Sequence, residues 1–272
     1  MFTSAIEQLK KHFRTLKNGL AVHPLFSRYD KYQLDQINRK TNTTRHIHLK
    51  PKGLKYGITI RQNFVDKDVV FYVLQEQYHL PPTEATLRSN PVILDLGSNI
   101  GLTVAHLKNQ YPSATIIGYE MNQENYFLAV ANTQKYPDVQ IVNTAVWIED
   151  ATVSYAKEAN FDSYSIVNQA KDSAASQQIT VPCLQLSTIF KNHNLDYVDY
   201  LKMDIEGAEE SILRAADLSW MQKVGAMNIE MHLDNEADLD QFKLIIEQQG
   251  FKVWKDHKHW SSIFAVRELT LS

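Results

Sequence analysis

One stretch of this 272-residue chain constrains its fold more than any other: residues 91–101, Pro-Val-Ile-Leu-Asp-Leu-Gly-Ser-Asn-Ile-Gly. Val92, Ile93 and Leu94 form a short continuous apolar run, the pattern of a strand buried on both faces of a parallel sheet. Asp95 stands at the end of that strand, and Gly97 and Gly101 bracket a tight turn. Ile100, Val104 and Leu107 then recur at helical spacing until Tyr111 and Pro112 stop the pattern. Strand, glycine turn and helix start together make a nucleotide-cradling unit, because helix-N-terminal amides and close backbone approach become available at one point. The plainer alternative is that the two glycines serve only a strand–helix turn.

The next segment weighs against that alternative. Residues 114–119 are apolar and β-branched and end at Glu120. An acid at the tip of a second strand can accept hydrogen bonds from both hydroxyls of a ribose. Where a dinucleotide fingerprint places a second glycine for the pyrophosphate, this chain has Asn99. A ligand with a ribose and no pyrophosphate fits better, and S-adenosylmethionine is such a ligand. The expected cofactor contacts are Asp95, Gly97, Ser98, Asn99, Gly101 and Glu120. Ala145, just past a third strand at 139–142, is small enough for a flat adenine ring to pack there.

Composition bounds the rest. The length allows one α/β domain with an N-terminal extension. Basic and acidic residues nearly balance, 28 against 31, so no field for nucleic acid shows at this level. A single cysteine, Cys183, excludes an internal disulfide framework and suits a reducing compartment. No apolar run approaches the ~20 residues that span a bilayer, and the N-terminus lacks the apolar core of a signal peptide. The expectation is a cytoplasmic chain with no transmembrane segment.

Strand and helix patterns alternate along the sequence. Residues 1–20 read as a helix, with Ser4 and Glu7 as a capping pair, an apolar face of Ile6, Leu9, Phe13 and Leu16, and a basic opposite face. Such a helix suits docking or dimerisation, so a homodimer is one arrangement it allows. His46 and His48 flank Ile47 with no acid or cysteine to complete a metal site, and read as surface residues. Residues 58–60 form a short strand leading to Arg61, and 66–78 a helix with Val69, Val70, Val73 and Leu74 inward. Asn122 caps the helix after Glu120; residues 156–178 hold no apolar run and read as a loop over the site. Ser187 caps a short helix, and His193, His257 and His259 sit in polar, loop-like contexts. Strands at 179–183, 198–203 and 226–231 follow, then a helix at 238–249 and an antiparallel pair at 251–254 and 263–266. This predicts a doubly wound, mostly parallel sheet with ligands at the carboxyl ends of its strands, where Asp95, Glu120, Asp204 and Glu230 all fall.

At these residues the chain resembles the FkbM-type methyltransferases, a class I S-adenosylmethionine-dependent family. The resemblance rests on residues 95–101, Glu120, Asn143-Thr144-Ala145, the block 201–209 (Leu-Lys-Met-Asp-Ile-Glu-Gly-Ala-Glu) and Ile229-Glu230-Met231-His232. It covers roughly residues 58–254, and Met121 departs from the proline often found after the ribose-binding acid. It implies a Rossmann-like, seven-stranded α/β sheet with an antiparallel C-terminal strand, so that residues 1–57 form an extension and 58–272 the methyltransferase domain. It also implies O-methylation of a sugar, glycan or natural-product hydroxyl, with Arg61, Tyr78 and Glu206 near the pocket.

Methyl transfer from a sulfonium is an in-line displacement, and an alcohol needs a base or a metal before it attacks. Asp204, Glu230 and His232 are the candidates for that chemistry. Two arrangements stay open. Asp204 and Glu230 could hold a magnesium-type ion that binds the acceptor oxygen. Alternatively no metal binds, a carboxylate holds the acceptor and His232 is the base; the metal-free arrangement is preferred, because only two carboxylates clearly converge. Glu209 and Glu210 read as acids stabilised by a helix N-terminus. Two other functions compete: a nicotinamide oxidoreductase on the same sheet, opposed by Asn99, and a catalytically inactive binding module, opposed by Asp204, Glu230 and His232. A nucleic-acid acceptor is disfavoured, since no basic stretch tracks phosphates.

Overall fold

The computed structural model describes residues 23–37, 45–156, 178–233, 238–256 and 261–268. The helix expected at 1–20, most of the loop expected at 156–178, and His257 and His259 lie outside the described residues. The chain divides into two compact units, residues 1–78 and 79–272.

In the first unit, α1 (Arg28–Asp35) starts where the Ser27 side chain accepts from the Asp30 amide. Strands β1 (His46–Leu49) and β2 (Ile58–Arg61) pair antiparallel along their whole length. Ile47, Leu49, Ile58 and Ile60 are buried while His46 and His48 face outward, as expected of surface histidines. Helix α2 (Phe64–Phe71) begins where Asn63 caps the Asp66 amide, and it widens into a π turn at Tyr72–Glu76 that Gln77 ends with φ 55°. Val70, Val73 and Leu74 are buried as the periodicity predicts, whereas Val69 is half-buried. Residues 58–78 group with the N-terminal unit, because β2 is hydrogen-bonded to β1 rather than to the strands that follow.

The second unit runs β3 (Val92–Leu96), α3 (Leu102–Gln110), β4 (Thr115–Tyr119), α4 (Gln123–Thr133), β5 (Val139–Val142), β6 (Ala145–Val146), β7 (Ala151–Ala156) and β8 (Gln178–Leu184). It continues with α5 (Leu186–Asn192), β9 (Val198–Met203), α6 (Glu209–Leu213), β10 (Val224–Glu230), α7 (Leu239–Glu247), β11 (Phe251–Lys255) and β12 (Ser262–Arg267). Seven strands form one sheet in the order β11-β12-β10-β9-β3-β4-β5, and β12 is antiparallel to both its neighbours. This is the doubly wound, mostly parallel α/β sheet the alternation predicts. The strand order reverses between β3 and β9, and a crevice opens at the carboxyl ends of strands on either side of such a reversal.

Alternation along the central strands builds both faces. Leu94, Leu201, Met203, Met227 and Ile229 pack with Leu186, Ile189, Ile212, Phe242 and Ile246 of α5–α7 on one side. Ile93, Ile116, Tyr200 and Ala226 pack with Val104 and Leu107 of α3 on the other. Each such side chain contributes about 1.5–3 kcal/mol by leaving water, which holds the strand ends at fixed separations.

Two local expectations fail for identifiable reasons. Strands β6, β8 and β7 form a separate three-stranded sheet, to which residues 151–156 contribute a strand too short and too weakly apolar to stand out in the sequence. Ser187 does not cap α5. Gln185 is the cap residue, and the Asp150 carboxylate accepts from the Gln185 amide at 2.9 Å and the Thr188 hydroxyl at 2.7 Å.

Candidate active site

At the end of β3 the chain turns through Gly97 (φ +84°), Asn99 (φ 48°) and Gly101 (φ +77°). A Cβ on Gly97 would lie 1.7 Å from the Asp204 carbonyl oxygen, and one on Gly101 would lie 2.8 Å from the Cα of Ala129. Both positions therefore require glycine for space as well as for φ. Ser98 is buried and donates its hydroxyl to the Asp95 carbonyl at 3.0 Å. The Asp95 carboxylate is buried, accepts from the Thr103 hydroxyl at 2.5 Å, and has Lys202 Nζ 3.6 Å away. Burial pushes its pKa up, and the Lys202 charge and the Thr103 hydrogen bond pull against that.

Glu120 lies just past β4 and is clamped by backbone. One carboxylate oxygen accepts from the Asn99 amide at 2.8 Å and the other from the Asn122 amide at 2.7 Å, while Asn143 holds the Glu120 carbonyl at 2.8 Å. Asn122 also caps α4 as expected, accepting from the Asn125 amide at 2.9 Å. Burial raises the Glu120 pKa to about 7, opposed by the Asn122 and Asn99 amides. The Asn125 side chain also bonds this carboxylate, and of its roughly four lone-pair positions those that remain can accept from a ligand. The side-chain oxygen of Asn99 is buried with no hydrogen-bond partner among the described residues. A polar cofactor carrying a donor would satisfy it. Ala145 is buried with Val181 and Cys183, beneath Met121.

The second half of the crevice is built at the ends of β9 and β10. Glu206 (φ 57°) and Gly207 (φ +102°) bend the chain back after Asp204. Glu209 is fully buried, and its carboxylate accepts from the Ile205 amide at 2.7 Å and the Gly207 amide at 2.8 Å. The same carboxylate is 3.2 Å from His232 Nδ1. On its other side, His232 Nε2 lies 3.3 Å from Glu206, 3.9 Å from Asp204 and 3.9 Å from Glu230. Burial alone would lower the His232 pKa, but the Glu209 hydrogen bond and the Glu209, Asp204 and Glu206 charges push it up to about 10. Burial and the Asp204 charge raise the Glu230 pKa, and His232 opposes them. Asp204, Glu230 and His232 each offer an atom within 4.8 Å of the other two, a spacing that could hold a metal ion.

The fold thus brings Asp204, Glu206, Glu230 and His232 together, and separately gathers Asp95, Gly97, Ser98, Asn99, Gly101 and Glu120 around the β3 turn. Arg61 and Tyr78 belong to the first unit. There the Arg61 guanidinium is bonded to both Asp66 carboxylate oxygens (2.8 Å at the shortest), and Tyr78 lies edge-on to Tyr72.

Two residues at the site were undervalued by sequence. Glu209 is an internal scaffold for the β9–α6 turn and His232, not merely an acid on an exposed helix start; Glu210 does fit that description, exposed and paired with Arg214 at 3.0 Å. Lys202 donates to Asp204 at 3.1 Å and to the Gly97 carbonyl at 3.3 Å. Its two-residue spacing from Asp204 on one strand was the available clue. His193 is not simply a surface residue either: it is half-buried with Nε2 2.8 Å from the Tyr119 hydroxyl.

The family described as Methyltransferase FkbM domain matches residues 95–267. "Methyltransferase 1" of Beauveria bassiana (strain ARSEF 2860) is 26% identical over 188 residues, covering 62% of this chain and 75% of that protein. "Methyltransferase sdnD" of Sordaria araneosa is 23% identical over 207 residues, covering 65% of this chain and 80% of that protein. Among solved structures, Aeropyrum pernix fibrillarin in complex with natively bound S-adenosyl-L-methionine aligns with a TM-score of 0.38 and 12% identity, over 66% of this chain and 67% of that one.

Proposed function

This chain belongs to the FkbM methyltransferase domain family and is an S-adenosylmethionine-dependent methyltransferase; we propose that it methylates a hydroxyl of a sugar, glycan or natural-product acceptor. The observation that carries this reading is the cluster of carboxylates, Asp204, Glu206 and Glu230, around His232 at the strand ends next to the β3 turn. Amines can attack a sulfonium once neutral, whereas an alcohol needs a group positioned to take its proton. A carboxylate at the acceptor position meets that need.

In this reading Glu120 holds the ribose of the donor, and the β3 turn at Gly97 and Asn99 carries the rest. The acceptor oxygen attacks the methyl carbon in line with the sulfur, the carbon–sulfur bond breaks, and S-adenosylhomocysteine leaves. Asp204 accepts the hydroxyl proton. Both ring nitrogens of His232 face carboxylates, Glu209 at 3.2 Å and Glu206 at 3.3 Å, so the imidazole serves as a cation that gathers the acids rather than as the base.

The donor set at this point also suits a divalent cation, since Glu209 fixes Nδ1 and leaves Nε2 toward Asp204 and Glu230. Such an ion would supply Lewis-acid polarisation of the acceptor oxygen. The metal-free arrangement remains the preferred one, because His232 already provides a cation among the acids.

The test is incubation with methyl-labelled donor and a panel of nucleotide sugars, glycolipids and polyketides, with and without excess EDTA. The reading expects label on an acceptor oxygen and full turnover in chelator. Label on nitrogen or carbon overturns O-transfer, and turnover restored only by added magnesium or manganese overturns the metal-free arrangement.

A further inference from the structure

Lys202 is a lysine in the middle of the sheet. It lies near the end of β9, in register with Asp95 on β3 and Asn228 on β10, and its side chain is 3% exposed. Its ammonium touches both halves of the crevice. It donates to the Gly97 carbonyl in the donor turn at 3.3 Å and to the Asp204 carboxylate at 3.1 Å, and it lies 3.6 Å from Asp95. The backbone repeats the connection. The Asp204 amide donates to the Leu96 carbonyl at 3.0 Å, and the Gly97 Cα faces the Asp204 carbonyl with no room for even a methyl group.

We propose that Lys202 is a positioning residue that couples the methyl-donor cradle to the acceptor carboxylate Asp204, so that each half of the site senses the other through one ammonium. The proposal rests on the assignment of the β3 turn to the donor. Two acceptors, the Gly97 carbonyl and the Asp204 carboxylate, share one buried cation, with the Asp95 charge beside it. A shift of the ammonium toward Asp204 lengthens its bond to the Gly97 carbonyl, and the reverse holds as well. Close packing of the turn against Asp204 leaves no slack to absorb such a shift. The physical content of coupling is a contiguous contact whose loss makes two perturbations independent.

A double-mutant cycle read by calorimetry with S-adenosylhomocysteine tests this without knowledge of the acceptor. In the otherwise wild-type protein, Asp204→Asn is expected to change the affinity about threefold or more, the scale of measured couplings between contacting residues. In a Lys202→Met background the same substitution should change it less than about 1.5-fold, and in a Lys202→Arg background the larger effect should return in part. Lys202→Met leaves Asp95 without its cation; if that variant does not fold, Lys202→Gln, which keeps a donor for the Gly97 carbonyl, takes its place. An equal effect of Asp204→Asn in both backgrounds, or no effect in either, overturns the coupling while leaving donor binding intact. Wild-type protein that does not bind S-adenosylhomocysteine at all removes the donor assignment, and this proposal with it.

Discussion

The two halves of the crevice are made of different material. Around Glu120 the groups that fix geometry are uncharged: two backbone amides on one carboxylate, two glycines at positive φ, and the side chains of Asn122 and Asn143. Around His232 they are side-chain charges: Glu206, Glu209, Asp204 and Glu230 on one imidazole, with Lys202 behind Asp204. A cradle of amides holds its shape whatever binds, which suits one invariant cofactor. A cluster of charges holds its shape only while its balance is kept, which suits a reaction that moves a proton.

The comparison is broken most severely at Gly97. Gly97→Ala places a methyl group against the Asp204 carbonyl and forces a residue with φ +84°, so a loss of more than about 4 kcal/mol is expected. Thermal unfolding followed by circular dichroism checks it; a stable variant that binds donor would mean the turn can move.

Next comes the charge-built half. Asp204→Asn should lower turnover by about 10²-fold or more, the scale of losing a positioned acid–base group, while donor affinity moves by only a few-fold. Single-turnover kinetics beside calorimetry separates the two, and equal losses in both would merge the halves.

Glu209 and Glu210 sharpen the contrast between scaffold and surface. Glu209→Ala leaves two half-buried amides and His232 Nδ1 without their partner and should cost about 2–3 kcal/mol. Glu210→Ala removes an exposed i,i+4 pair and should cost less than about 0.5 kcal/mol. Similar denaturant midpoints for the two variants would return Glu209 to the helix surface.

A pH-dependent effect, fully developed only above neutrality, follows from Glu120, whose pKa rises from the ordinary 4.5 to about 7 by burial. Between those values the folded protein keeps a proton that the unfolded chain has lost. Stability from this group is therefore full below about pH 4.5 and is lost as pH rises through about 7, by on the order of 3 kcal/mol. Glu120→Gln should flatten that part of the stability curve. A wild-type curve no steeper than the variant's between pH 4.5 and 7 would show that the carboxylate is solvated.

These differences also explain what could be read from the sequence. Gly97, Asn99, Gly101 and Glu120 act through local conformation and through the position of one strand tip, and both leave a fixed spacing. The alternation of apolar runs likewise announced the central strands and their parallel order. The 151–156 strand was hidden because its partner, β8, lies across a long intervening segment, and its short alternation of Ala151, Val153 and Tyr155 with Thr152 and Ser154 carries no large aliphatic run. Glu209, Lys202 and the gathering of Glu206 and Glu209 on His232 were missed for a related reason. Their meaning depends on which charges meet at the ends of neighbouring strands, and a glutamate at a helix start looks the same whether it is buried or exposed.

The central claim is that the amide-clamped Glu120 holds the methyl donor. Calorimetric titration of S-adenosylhomocysteine into wild type and Glu120→Ala tests it most directly. Two hydrogen bonds to a charged acceptor, each worth about 1.5–3 kcal/mol, should be lost, so the account predicts affinity weaker by at least tenfold with the fold intact. Equal affinity in the two proteins would contradict it and place the ribose elsewhere.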